Sequence, residues 1–108
     1  MTNPRIENLQ RMLDRHPDDA RLRFGLALEY EKAGRWQEAV EQLERYLEQA
    51  EDEGNAWGRL GEALRRLGRD DDARDAYRRG IEAATRHHHP TMADEFREIL
   101  QSWNDAGP

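Results

Sequence analysis

Residues 57–77 read WGRLGEALRRLGRDDDARDAY, or Trp57-x2-Leu60-Gly61-x2-Leu64, then Gly68-Arg69, then Ala73-x3-Tyr77. Trp57, Leu60, Gly61 and Leu64 fall on one stripe at helical spacing. Gly68 can take the left-handed conformation that follows a helix end. Asp70, Asp71 and Asp72 then place negative charge at the start of a second helix, where the dipole favours it. Ala73, Tyr77 and Ile81 form the inner face of that second helix. The stretch predicts a hairpin of two helices whose crossing is lined by small residues.

Sliding the chain along itself by 34 residues reproduces the hairpin. Leu26 meets Leu60, Gly34 meets Gly68, Arg35 meets Arg69 and Ala39 meets Ala73. Arg45 meets Arg79, Glu48 meets Glu82 and Ala50 meets Ala84. Where identity fails, character holds: Ala27 faces Gly61, Leu43 faces Tyr77, and Leu47 faces Ile81. One period earlier, Leu9 aligns with Leu43, Arg11 with Arg45 and Leu13 with Leu47. The small residues Ala27, Gly61, Ala39 and Ala73 are expected where paired helices cross closely.

Outward from the hairpin, Ile6, Leu9, Met12 and Leu13 mark a first helix over 5–15. His16-Pro17-Asp18-Asp19 breaks it and offers N-caps for a second, about 18–33, which Gly34 closes. Trp36, Ala39, Val40, Leu43, Tyr46 and Leu47 mark a third, ending in the acidic segment 51–53 and Gly54. After the hairpin at 57–77, the fifth helix fades into Arg86-His87-His88-His89-Pro90. Thr91-x-x-Asp94 resembles a capping box with Asp in place of Glu, opening a sixth helix that bears Met92, Phe96, Ile99, Leu100 and Trp103. Residues 104–108 are expected to fray.

These landmarks resemble the tetratricopeptide repeat (TPR), W-x2-L-G-x2-Y…A-x3-F…P over 34 residues. The resemblance implies an all-α, right-handed helical-hairpin solenoid with a C-terminal capping helix. It divides a single domain, 1–108, into an N-terminal half-repeat (3–19), two repeats (20–53 and 54–87) and a capping helix (90–104). Pro17 stands where the pattern closes with proline. The second repeat should close near Thr85, but its proline is Pro90, so either the linker is longer or the fifth helix runs on.

Composition agrees with a thin helical array. The chain is 36% hydrophobic and 37% charged, with net charge −6. That balance disfavours nonspecific binding to nucleic acid or anionic membrane, which needs a basic surface. Arg65, Arg66, Arg69, Arg78, Arg79 and Arg86 are interleaved with acidic residues and divided between two helices. Without cysteine there is no disulfide, thiol chemistry or Cys-ligated zinc. No apolar run approaches membrane-spanning length and the N-terminus lacks an apolar signal core, so the expected location is cytoplasmic. There is no phosphate loop, nucleophile elbow or H-E-x-x-H motif, so the reading is non-enzymatic, with no cofactor and no metal.

In the resembled family the first helices of successive repeats line a concave groove that binds peptides. Carried over by register, that implies Arg21, Phe24, Leu28, Glu31 and Lys32 from the first repeat. From the second it implies Asn55, Gly58, Arg59, Glu62, Arg65 and Arg66. The partner-binding set is taken as Phe24, Leu28, Lys32, Arg59, Glu62, Arg65 and Arg66, suited to a protein or peptide partner that is partly apolar and partly acidic. The Lys and Asn clamp of the co-chaperone subgroup is missing: Phe24, Leu28 and Arg59 stand in its places. The plainer alternatives are that Phe24 and Leu28 pack against the N-terminal helix or a second copy, and that the arginines form a solvated face paired to Glu62.

Two other readings stay open. A short array can associate with itself, as a homodimer whose surface is self-occupied, and an exposed Trp103 would mark such a contact. His87-His88-His89 could serve a metal-responsive protein, but neighbouring residues on a regular helix point about 100° apart and cannot converge. A loop conformation or a ligand such as Asp94 would be needed; otherwise the segment is a polar linker.

Overall fold

The computed structural model describes residues 3–106, all of whose regular structure is helical. Six helices follow in order: α1 (Pro4–Arg15), α2 (Ala20–Lys32), α3 (Trp36–Gln49), α4 (Asn55–Arg66), α5 (Asp70–Arg86) and α6 (Pro90–Ala106). They divide into two compact units, one ending at Glu51 and the other beginning at Asp52. The boundary lies two residues before the expected start of the second repeat. None of these helices is long and apolar enough to cross a membrane.

Local chemistry sets each boundary. Asp19 caps α2, its Oδ1 accepting from the Arg21 and Leu22 amides at 3.0 and 3.3 Å. Asn3 does the same for α1. Gly54 has no side chain to cap α4, so Asp52 reaches over it, accepting from the Gly54 and Ala56 amides at 2.8 and 2.9 Å. At the other end, α2 and α4 close identically. The Arg35 amide donates to the Tyr30 carbonyl and the Arg69 amide to the Leu64 carbonyl, both at 2.9 Å. Gly34 and Gly68 sit between at φ 71° and 76°, the left-handed conformation this closure requires.

The α5–α6 connection resolves the displaced proline. The helix runs on: α5 has 17 residues where α3 has 14, and Thr85 lies inside it. Pro90 then starts α6 at its first position, where a missing N–H costs nothing. The expected capping box does not form, because Thr91 is already inside the helix and Asp94 accepts from Arg97 at 2.9 Å. Between the helices, the His89 amide donates to the Ala84 carbonyl at 2.7 Å, the same closure seen after α2 and α4. The residue held left-handed here is His88, at φ 63°.

In unit 1, Ile6, Leu13, Leu26, Tyr30 and Ala39 form a buried core, with Leu9 and Leu22 packed against it. In unit 2, Leu60, Ala63 and Leu64 of α4 meet Ala73, Ala76 and Tyr77 of α5, all buried. The expected close crossing is there. A β-carbon placed on Gly61 would lie 2.8 Å from the Tyr77 ring.

A second close approach was not anticipated. Phe96 of α6 seats over Gly58 and Gly80, where added β-carbons would fall 2.5 and 2.9 Å from its ring. In the 34-residue register those glycines match Phe24 and Tyr46 of unit 1. There the two aromatic rings fill the space themselves, with centroids 5.0 Å apart. Unit 2 empties both positions and fills them from α6 instead, and Tyr77 completes the contact with its centroid 5.7 Å from that of Phe96.

One more contact ties the loops of unit 2 together. His89 Nε2 donates to Glu53 Oε1 at 2.6 Å. That hydrogen bond, helped by the nearby charge of His89 and His87, holds the Glu53 carboxyl below its ordinary value of 4.5.

Three outcomes are expected. Gly58→Ala should destabilise unit 2 by about 1–3 kcal/mol through overpacking. In a Phe96→Ala background the same change should stabilise by about 0.5–1 kcal/mol, since alanine is the better helix former. Urea melts of the four proteins decide this; an equal cost in both backgrounds would mean that Phe96 does not fill the space. His88→Gly should raise stability by about 1 kcal/mol, because left-handed backbone costs an L-residue roughly 1–2 kcal/mol; an unchanged urea midpoint would exclude strain at His88. Finally, a carboxyl whose folded pKa is depressed stabilises above its unfolded value and loses that contribution as pH falls through the folded one. The melting-temperature advantage of wild type over Glu53→Gln should therefore shrink as pH falls below 4.5.

Candidate functional site

The seven residues expected at a partner surface divide between the units: Phe24, Leu28 and Lys32 on α2, and Arg59, Glu62, Arg65 and Arg66 on α4. On α2 the three positions recur every fourth residue and share one face. Phe24 and Leu28 are half-buried and Lys32 is exposed. The Phe24 ring tilts against Tyr46 of α3, with centroids 5.0 Å apart. Lys32 Nζ lies 3.4 Å from Glu29 Oε1, an exposed pairing worth a few tenths of a kcal/mol. This face of α2 thus offers an aromatic edge and an aliphatic side chain beside an exposed ammonium group.

On α4, Glu62, Arg65 and Arg66 border a shallow cleft of about 260 Å³. Arg66 Nε donates to Glu62 Oε1 at 2.9 Å, the pairing expected of a solvated face. Arg59 is half-buried on the same helix. Gly58, carried into the groove by register, instead faces Phe96. Arg65 lies against Trp103, its guanidinium carbon 4.1 Å from the ring centroid. Arg74 of α5 approaches the same indole at 4.3 Å. Trp103 is consequently half-buried, and α6 presents Glu95, Arg97, Glu98 and Gln101 to solvent. This is the polar outer face expected of a cap. Burial pushes the Tyr77 phenol up, and the Glu62 carboxylate raises it further.

Of the six arginines considered as a nucleic-acid stripe, Arg66, Arg69 and Arg79 are engaged by carboxylates. Arg69 pairs with Asp72 at 2.9 Å and Arg79 with Asp75 at 3.0 Å. Such exposed pairs contribute little stability, but they neutralise the surface locally. The histidines do take a loop conformation, yet His89 turns to Glu53. Among the described residues no group of three His, Cys, Asp or Glu side chains is placed to share a metal ion.

One feature escaped the sequence reading. Arg23 takes the register position of Trp57, and it is buried at 7% exposure. Its guanidinium is held by Gln42, Gln49 and the Pro17 carbonyl. The signal was present in the 34-residue alignment as a cation opposite an indole.

Comparison with known proteins now places the chain. The Tetratricopeptide repeat family model matches residues 1–84. TPR repeat-containing protein PA0015 of Pseudomonas aeruginosa is 39% identical over 101 residues, covering 94% of this chain and 96% of that protein. The solved structure of MamA AMB-1 superposes with a TM-score of 0.68 at 22% identity, over 95% of this chain, which spans 64% of the MamA chain. At that identity the likeness concerns the fold alone. On the family match and the Pseudomonas relative, the chain belongs to the tetratricopeptide repeat family.

Proposed function

We propose that the protein is a non-enzymatic protein–protein interaction module that binds a peptide or partner segment through the first helices of its repeats, α2 and α4. The observation that carries this reading is chemical contrast between the two faces. Phe24 and Leu28 leave apolar surface partly open on α2. Arg65 and Arg66 project guanidinium groups from the last turn of α4. Apolar segments of a partner would match the first by burial of apolar area, and acidic segments the second by charge-assisted hydrogen bonds. TPR membership supports the class of activity. Single-stranded or duplex nucleic acid fits less well, since the net charge is −6 and several arginines are already paired.

The informative variants avoid side chains that hold the fold. Arg65 stacks on Trp103 and Phe24 on Tyr46, so both are poor choices. Lys32 and Arg66 are exposed. Lys32→Glu with Arg66→Glu should leave the melting temperature within a few degrees of wild type. It should weaken capture of a native partner by tenfold or more, about 1.4 kcal/mol. Quantitative affinity capture from native lysate, wild type against the charge-reversed protein, measures this. Equal recovery of every enriched protein would refute binding through these faces.

A further inference from the structure

Unit 1 contains a cleft of about 510 Å³ between α1, α2 and α3, lined by Leu13, Asp14, Arg23, Leu26, Gln42 and Arg45 among others. Its floor is unusual in charge. Arg23 is buried at 7% exposure, yet no carboxylate lies within ion-pairing distance of it among the described residues. Its three hydrogen bonds go to neutral oxygens: Gln49 Oε1 at 3.1 Å, Gln42 Oε1 at 3.0 Å and the Pro17 carbonyl at 2.9 Å. A guanidinium has five N–H donors, so two remain. A buried charge with only neutral partners is costly, and proteins ordinarily supply a counter-ion.

The fold itself does not ask for this arrangement, as unit 2 demonstrates. In the 34-residue register Arg23 matches Trp57, Gln42 matches Ala76, and Gln49 matches Ala83. Ala76 and Ala83 are buried, and the Trp57 ring carries the Arg79 guanidinium 5.6 Å from its centroid. An apolar solution therefore exists for the same three positions in the same helical hairpin. Unit 1 replaces all three with polar side chains that bond to one another. Arg45, the register partner of Arg79, has no indole to stack on and donates to no acceptor among the described residues, but lines the cleft. Gln42, having used its oxygen for Arg23, keeps its amide N–H groups as donors on the same wall.

The lining thus offers two guanidinium groups, spare amide donors and one carboxylate, Asp14. One net positive charge suits a monoanion, and a guanidinium fork matches a planar carboxylate. The Asp14 carboxylate disfavours a more highly charged group such as phosphate. We propose that this cleft of unit 1 is a binding site for a carboxylate, held by Arg23 and Arg45, and supplied by an acidic side chain of a polypeptide or by a small organic acid. The site is separate from the exposed face of α2 and does not depend on the function proposed for it.

Arginine Nε–Hε resonances of the ¹⁵N-labelled full chain report on the site directly. Three probes are titrated at constant ionic strength: sodium acetate, inorganic phosphate, and a glutamate-containing peptide blocked at both ends. Acetate or the peptide should shift the Arg23 resonance saturably. Arg45→Ala should weaken that affinity at least threefold, and in Arg23→Met, with circular dichroism unchanged, the Arg45 resonance should show no saturable shift. If Arg23→Met unfolds, Arg45→Ala decides alone, because Arg45 is exposed and makes no hydrogen bond or ion pair among the described residues. No saturable shift, or unchanged affinity in Arg45→Ala, overturns the proposal, and so does phosphate binding as tightly as acetate. Peptide saturation at tenfold lower concentration than acetate assigns the carboxylate to a polypeptide; equal affinities assign it to a small acid.

Discussion

Close approach of helix backbones is the constraint on which everything else rests. A pair of helices by itself has no deep interior, so contact must come from short distances and small side chains. Ala27, Ala39 and Ala73 are fully buried, and Gly61 lets the Tyr77 ring lie against the α4 backbone. Density of packing replaces depth of core, since dispersion gains fall off within a fraction of an ångström of gap. Charged residues make up 37% of the chain, and apart from a few such as the buried Arg23 they occupy the remaining surface. Their pairs, such as Arg69 with Asp72, adjust solubility and local charge more than stability.

The two units meet this constraint with different side chains in the same register. Unit 1 carries Phe24 against Tyr46, whereas unit 2 carries Gly58 and Gly80 and receives Phe96 of α6. The glycines make α6 an integral part of unit 2. They explain why its inner face is buried while its outer face is polar. Arg65 and Arg74 extend the attachment by lying against Trp103. A residue expected to recognise a partner is therefore also part of the scaffold. Unit 1 diverges again at Arg23, where a buried cation takes the place of the Trp57 indole and opens a polar cleft.

Much of the architecture was legible from local chemistry. Apolar residues at helical spacing, Gly34 and Gly68 past helix ends, and Asp19 before one are read over a few positions each. The 34-residue register assembled them into hairpins. The helix termini follow the same local rules, apart from the start of α6, where Pro90 at the first position pre-empted a capping box at Thr91. The histidine segment was legible as a loop, but its left-handed His88 and the bond from His89 to Glu53 were not, since the latter spans 36 residues.

What local pattern left open is how side chains far apart in sequence share one space. Gly58, Gly80 and Phe96 acquire meaning only when three helices meet, because an empty position and the ring that fills it carry no common signal along the chain. The same holds for Arg23, whose burial depends on Gln42 and Gln49 arriving from α3 to satisfy it. Periodicity and capping are short-range and survive in one dimension. Volume complementarity and the pairing of buried polar groups are long-range, and packing alone determines them.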